Sequence, residues 1–302
     1  MKPYWKNSSG KLYHGNCINI LPSLEGQVDL VVTSPPYDDL RVYEKKSIWD
    51  WEVFTSIANL LFKAVKPGGV VVWIVNDKTD INNGGESGSS FKQALYFKEI
   101  GFILNDTMIW EKKQIKFPEF YRYYQCTEYM FILSKGIPKT FNPIKDRVNL
   151  GYNGKIKTAT NKFWKADKET GIEKPTLLNV RKVNLKRHGT RINVWKYKTE
   201  TTIAKKYGFP AAFPEKLARD HIVSWSNEGD IVLDPMSGSG TTVCVAQQLN
   251  RKWIAIEAVE NYCKTIVKRI TDNKGKKIKQ RDANEKYLTN RRNSIKKLLS
   301  NL

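Results

Sequence analysis

Cysteine and histidine are scarce in this chain: four cysteines, Cys17, Cys126, Cys244 and Cys263, and three histidines in 302 residues. The cysteines form no Cys-x-x-Cys pair and have no histidine at ligand spacing. That argues against a disulfide framework and a zinc site, so no metal is expected, and a reducing cytoplasm fits. No apolar run is long enough to cross a membrane, and Met1-Lys2-Pro3-Tyr4-Trp5-Lys6 lacks the apolar stretch of a secretory signal. Acidic residues are also short, 30 against 51 Lys and Arg, for a net charge of +21. With 40% hydrophobic and 12% aromatic residues, the chain can still bury the core of one large domain with a sizeable insertion.

The excess charge is segregated. Residues 139–206 carry 18 Lys and Arg against 5 Asp and Glu, and residues 264–302 carry 13 against 3. Everything else balances, at 20 against 22. Basic proteins need not bind nucleic acid, since charge also serves solubility. Two basic segments on a nearly neutral body favour a polyanionic partner, nucleic acid first.

Hydrophobic periodicity gives alternating strands and helices, interrupted once. Val28 to Thr33 reads as a buried strand that stops at Ser34-Pro35-Pro36. Helical spacing from Trp49 to Val65 predicts a helix closed by Lys66-Pro67-Gly68-Gly69, with a strand from Val70 to Val75. A polar loop over 76–90 reads as mobile and precedes a helix over 91–100. Strands Ile103–Trp110 and Tyr129–Leu133 follow, separated by an aromatic and basic stretch. From 139 to 206 periodicity is lost while Trp164 and Trp195 remain, too aromatic for a disordered linker. This stretch reads as a small irregular inserted module, with both tryptophans and the basic cluster around His188 expected to face the nucleic acid. The alternation then resumes: a strand at Ile231–Leu233, a glycine-rich turn to Gly240, a helix at 241–249, a strand at Trp253–Ile256 and a helix at 261–270. The tail after 271 is basic, with a helix expected over Ser294–Leu299. The fold class is therefore α/β, a doubly wound Rossmann-like sheet carrying a basic insertion.

Two constellations carry chemistry. In Asp234-Pro235-Met236-Ser237-Gly238-Ser239-Gly240-Thr241, glycines at a strand-to-helix turn let a ligand approach the backbone, and the helix start offers free N–H groups. Glu257 ends the next strand, where an acid holds ribose hydroxyls in dinucleotide folds. A structural turn explains a lone Gly-x-Gly equally well, but with the second acid a nucleoside-type cofactor is favoured. The other is Thr33-Ser34-Pro35-Pro36-Tyr37. An exocyclic amine needs acceptors to orient it and draw its lone pair from the ring. Ser34 Oγ and the Pro35 carbonyl can accept, and Tyr37 offers a stacking face, although a plain proline turn fits the dipeptide as well.

Together, in this order and spacing, these motifs resemble the β-class, or permuted, amino-methyltransferases of DNA. The resemblance spans about residues 10–270. It includes Gly15-Asn16-Cys17-Ile18-Asn19-Ile20-Leu21, Lys66-Pro67-Gly68-Gly69, Tyr129 to Gly136, and Phe213-Pro214-Glu215-Lys216-Leu217. It implies S-adenosylmethionine as cofactor and double-stranded DNA as partner, with the target base flipped and methylated by direct in-line displacement. It places the cofactor against Asn16, Cys17, Thr33, Asp234, Pro235, Met236, Gly238, Ser239, Gly240, Thr241 and Glu257. Ser34, Pro35, Pro36 and Tyr37 then form the base pocket. Asn16 stands where the family usually has Asp, Phe209-Pro210 where it has His-Pro, and Met236 where Phe is common.

The implied organisation is a catalytic half at 1–138, a target-recognition insertion at 139–206, a cofactor half at 207–270 and a basic tail at 271–302. Thr-Ser-Pro-Pro-Tyr is similar to the version typical of cytosine-N4 enzymes, with adenine N6 the alternative and a non-catalytic DNA-binding module a more distant one. A homodimer and a cognate endonuclease of a restriction-modification system are the further partners the resemblance suggests. Asp38 and Asp39 read as a solvated loop pair, and the cysteines as packing residues.

Overall fold

The computed structural model describes residues 1–36, 49–80, 82, 84–112, 122–149, 157–166, 173–183, 186–209, 212–273 and 275, with backbone alone for 157–166, 173–183 and 204. Tyr37, Asp38, Asp39 and the helix expected over 294–299 lie outside the described residues. Among the described residues two compact units are present, one of Met1–Asn142 with the described chain from Asn193 to Gly275, the other of Pro143–Ile192.

The first unit opens with β1 (Trp5–Lys6), β2 (Gly10–His14), the short helix α1 (Cys17–Ile20) and a 3-10 turn. Then come β3 (Val28–Thr33), α2 (Trp51–Ala64), β4 (Val65–Val75), α3 (Ser89–Glu99), β5 (Ile103–Lys112) and β6 (Thr127–Ser134). The second unit holds β7 (Arg147–Val148), β8 (Lys157–Ala166), β9 (Glu173–Val183) and β10 (His188–Gly189). The first unit resumes with β11 (Val194–Tyr197), α4 (Thr202–Tyr207), α5 (Glu215–Trp225) and β12 (Ile231–Asp234). It closes with α6 (Thr241–Gln248), β13 (Lys252–Glu257) and α7 (Glu260–Asp272).

Nine strands form one sheet in the order β1-β2-β13-β12-β3-β4-β6-β5-β11. Only β1 and β6 run against their neighbours. Winding proceeds from β3 to β4 in one direction and from β12 to β13 in the other, so the switch point lies between β3 and β12. Ligands of open α/β sheets bind outside the carboxyl ends at such a point. Parallel strands covered on both faces read as continuous apolar runs, and Val70 to Val75 is buried throughout. Asp29 is the polar exception in β3. Its carboxylate accepts from Lys66 Nζ at 2.7 Å and from Ile231 N at 2.9 Å, tying three adjacent strands at their amino ends.

Helix α2 begins where Asp50 accepts from Val53 N at 2.8 Å. Phe54, Ile57, Ala58 and Leu61 form its buried stripe. It ends at Ala64 and passes straight into β4, whose first residue pairs with Val28. The helix breakers Pro67-Gly68-Gly69 therefore lie inside an irregular strand start rather than before the strand.

Two expectations for 139–206 are corrected. Among its described residues the segment carries regular structure: β8 and β9 form a long antiparallel pair, with β7 and β10 a second small pair. Trp195 does not face DNA. It lies in β11, parallel to β5 in the main sheet, and is buried with its ring 4.6 Å from that of His221.

Candidate active site

The carboxyl ends of β3 and β12 bring both motifs to one point. Thr33, the last residue of β3, donates its hydroxyl to Asp234 Oδ1 at 2.8 Å, across 201 positions of sequence. Met236 N donates to the same oxygen at 3.2 Å, and Thr242 adds a side-chain bond. Thr242 Oγ1 also donates to the Val32 carbonyl at 3.0 Å. Asp234 is fully buried, and desolvation outweighs these donors, pushing its carboxyl up to about 6. Immediately past Thr33, Ser34 and Pro36 are half-buried and Pro35 is buried.

The turn after β12 is shaped by its glycines. Gly238 has φ +51°, and a Cβ there would meet Phe209 Cζ at 2.6 Å. Gly240 has φ +77° and caps α6, whose first amides have no helical acceptor. Phe209, standing where the resembling family has histidine, is therefore a packing ring, buried between Gly238 and Tyr262.

Glu257 ends β13 beside this turn. Its Oε2 accepts from Gly238 N at 2.7 Å and its Oε1 from Val259 N at 2.9 Å. Burial again dominates, raising its carboxyl to about 7, with Asp234 a lesser contributor in the same direction. The Glu257 carbonyl accepts from Gly15 N at 2.9 Å, which brings Asn16 and Cys17 to the same edge. Asn16 Oδ1 caps α1 by accepting from Ile18 N at 3.0 Å, a role Asn performs as well as Asp. Burial pushes the Cys17, Cys244 and Cys263 thiols to about 12, so they remain neutral packing groups. Among the described residues, no three His, Cys, Asp or Glu side chains gather to hold a metal ion.

Two supports escaped the sequence reading. Arg269 of α7, buried to 1% exposure, donates to the Ser239 carbonyl at 2.7 Å, Ser239 Oγ at 2.9 Å and Thr241 Oγ1 at 3.2 Å, and pairs with Glu215 at 2.7 Å. Nothing in the sequence of that helix sets Arg269 apart from its basic neighbours Lys264 and Lys268. Replacing Arg269 with methionine should destabilise the protein by about 2 kcal/mol, because three loop acceptors lose their donor. Denaturant unfolding will read this, and an unchanged midpoint would show that the loop holds itself. The second is Asp77, just past β4. It accepts from Ser90 N at 2.8 Å, Ser90 Oγ at 2.6 Å, and Ser87 Oγ and Ser89 Oγ at 3.2 Å, closing the loop into α3. An acid at a strand's carboxyl end before a serine run was the signal.

The family model N6_N4_Mtase, described as DNA methylase, matches residues 28–268. The chain belongs to that DNA methylase family. The orphan methyltransferase M.BamHII of Bacillus amyloliquefaciens is 52% identical over 241 residues, covering 78% of this chain and 86% of that one. The type II methyltransferase M.PvuII of Proteus hauseri is 26% identical, over 90% of this chain and 87% of its own. Among solved structures, PvuII DNA methyltransferase (cytosine-N4-specific) superposes with a TM-score of 0.64 at 22% identity, covering 95% of each chain. The M1.HpyAVI–SAM complex does so at 0.53 and 21% identity, covering 86% of this chain and 99% of that one. The fold of this DNA methylase is the Rossmann-like methyltransferase fold.

Proposed function

We propose that this methylase transfers the methyl group of S-adenosylmethionine to cytosine N4 in double-stranded DNA. The observation that carries the reading is the Thr33–Asp234 hydrogen bond, which joins the base-pocket motif to the glycine turn at the switch point of the sheet. The donor set suits the cofactor. Two buried carboxyls with raised proton affinity await a cation and hydroxyl donors, and a glycine turn with helix-start amides suits a carboxylate. Bound there, S-adenosylmethionine supplies an electrophilic methyl group.

The chain's own residues would divide the work. Asp234 holds the ammonium side, Glu257 the ribose hydroxyls, and Gly238 to Thr241 the carboxylate end, with Pro235 and Met236 packing beneath and Cys17 lining the edge. Asn16, its Oδ1 committed to the cap, keeps Nδ2 as a donor to a base ring nitrogen. Ser34 Oγ and the Pro35 carbonyl accept from the target amine, Pro36 stiffens the turn, and Tyr37 stacks on the base. Orientation and alignment then supply most of the rate.

The second unit, with residues 139–206 around it, is the target-recognition element in this reading, supported by its basic excess; the tail after 271 adds phosphate affinity. The orphan designation of M.BamHII supports an enzyme acting without a cognate endonuclease. Cytosine N4 rests on Thr33-Ser34-Pro35-Pro36-Tyr37 and on the name of the PvuII enzyme. Methylated DNA digested to nucleosides and resolved by mass spectrometry should yield N4-methylcytosine. N6-methyladenine alone would move the target to adenine and leave the reaction class intact.

A further inference from the structure

Between β5 and β6 the chain displays two tyrosine rings that the methyl-transfer reading leaves without a role. Tyr123 is 99% exposed, the most exposed large hydrophobic side chain among the described residues, and Tyr124 is 54% exposed. The backbone that carries them is clamped on both sides. Arg122 donates to Thr79 Oγ1 and pairs with Glu86, both in the loop after β4. Gln125 Nε2 donates to Asn76 Oδ1 at 3.3 Å and to Glu86 Oε1 at 3.4 Å. That loop is itself held by Asp77.

Strand register places the rings on the edge that holds the site. Thr33 pairs with Trp73 and Val75 with Tyr129, so the chain before Thr127 leaves the sheet from the same edge as Ser34-Pro35, a few residues further out. One strand, β4, lies between β3 and β6, a lateral spacing of two inter-strand distances or roughly 10 Å. The sequence over 112–126 has four Lys and Arg, one Glu and five aromatic residues. Interleaved cations and rings hold bases by stacking, with the cations meeting phosphates.

A flipped base leaves its former neighbours unstacked, and that loss opposes flipping. A ring already on a fixed backbone, with two side-chain torsions to restrain, replaces the stacking with little ordering. We propose that Tyr123, with Tyr124 next to it in the chain, stacks on the duplex bases uncovered when the target swings out, and so props the site open. This rests on the reading of the chain as a base-flipping DNA methyltransferase.

The test compares wild type, Tyr123→Ala and Tyr123→Trp once the methylated site has been mapped by sequencing. Each is assayed on a paired duplex and on the same duplex with an abasic position opposite the target. Tyr123→Ala should lower kcat/KM on the paired duplex by about tenfold or more, and Tyr123→Trp should retain activity. On the abasic-opposed duplex, where flipping is easier, the Tyr123→Ala loss should shrink to about twofold or less. The ring is exposed, so thermal melting should not change. No loss on paired DNA, or an equal loss on both duplexes, overturns the proposal while methylation by wild type keeps the underlying reading. A wild-type protein that methylates no DNA removes both.

Discussion

Ser34→Ala should lower methyl transfer to duplex DNA by about 10²–10³-fold, the range seen when one preorganised polar group is removed from a reacting centre. S-adenosylmethionine affinity should stay essentially unchanged. The separation follows from geometry. Ser34 lies one residue beyond Thr33, while in the proposed reading most of the groups that hold the cofactor lie in the turn after β12 and at the end of β13. The deficit should fall in kcat, because the hydroxyl's contact to the amine matters most as the nitrogen lone pair leaves conjugation. Single-turnover kinetics together with calorimetric titration of the cofactor measure the two properties separately. Near wild-type turnover by Ser34→Ala would remove Ser34 from the base pocket.

Asp234→Ala should do the converse and weaken cofactor binding by about 10–100-fold, as a charge-assisted contact to a buried carboxylate is lost. The raised carboxyls add a pH signature. In the ligand-free protein Asp234 sits at about 6 and Glu257 at about 7, above their ordinary values of 3.8 and 4.5. The unfolded chain therefore ionises first. Folding stability should fall as pH rises from about 4 to about 7 and level off above. A bound cation favours the ionised forms, so cofactor binding should release protons near pH 6.5 and tighten as pH rises through about 7. Titrations in two buffers of different ionisation enthalpy count those protons, and Glu257→Gln should remove the upper part of the response. Binding that tightened toward acid pH would contradict the assignment of both carboxylates.

Much of the sheet was legible because its strands are buried on both faces. Val28–Thr33, Val70–Val75 and Trp253–Ile256 stand out as apolar runs ended by glycine, proline or acid. Other elements left no such trace. The pair of β8 and β9 is a two-stranded sheet by itself, and such a ribbon needs no apolar face to impose alternation on its residues. β11 shows period two over only three residues, Trp195, Lys196 and Tyr197, inside a basic run, so a buried tryptophan passed for a surface one. The two motifs stood out because they occur together, in the order and spacing of the resembling family; each by itself reads equally well as a plain turn. Their connection could not be read: nothing local to Thr33 announces Asp234, and nothing local to α7 announces that Arg269 is buried beneath the glycine turn.

The second unit leaves and rejoins the main sheet through fixed points. Asn142 donates to carbonyls of Val223 and Ser226, and Asn193 Nδ2 donates to Asp106 Oδ1 at 3.0 Å, directly before β11. Both junctions are secured by residues of the first unit, at the two ends of the fifty residues from Pro143 to Ile192. Those residues behave as a cassette in the engineering sense. Lengthening or replacing such a segment should leave the register of the main sheet unchanged, because its two ends are fixed there. In the proposed reading, exchanging that segment should change which site is methylated while the chemistry stays in place.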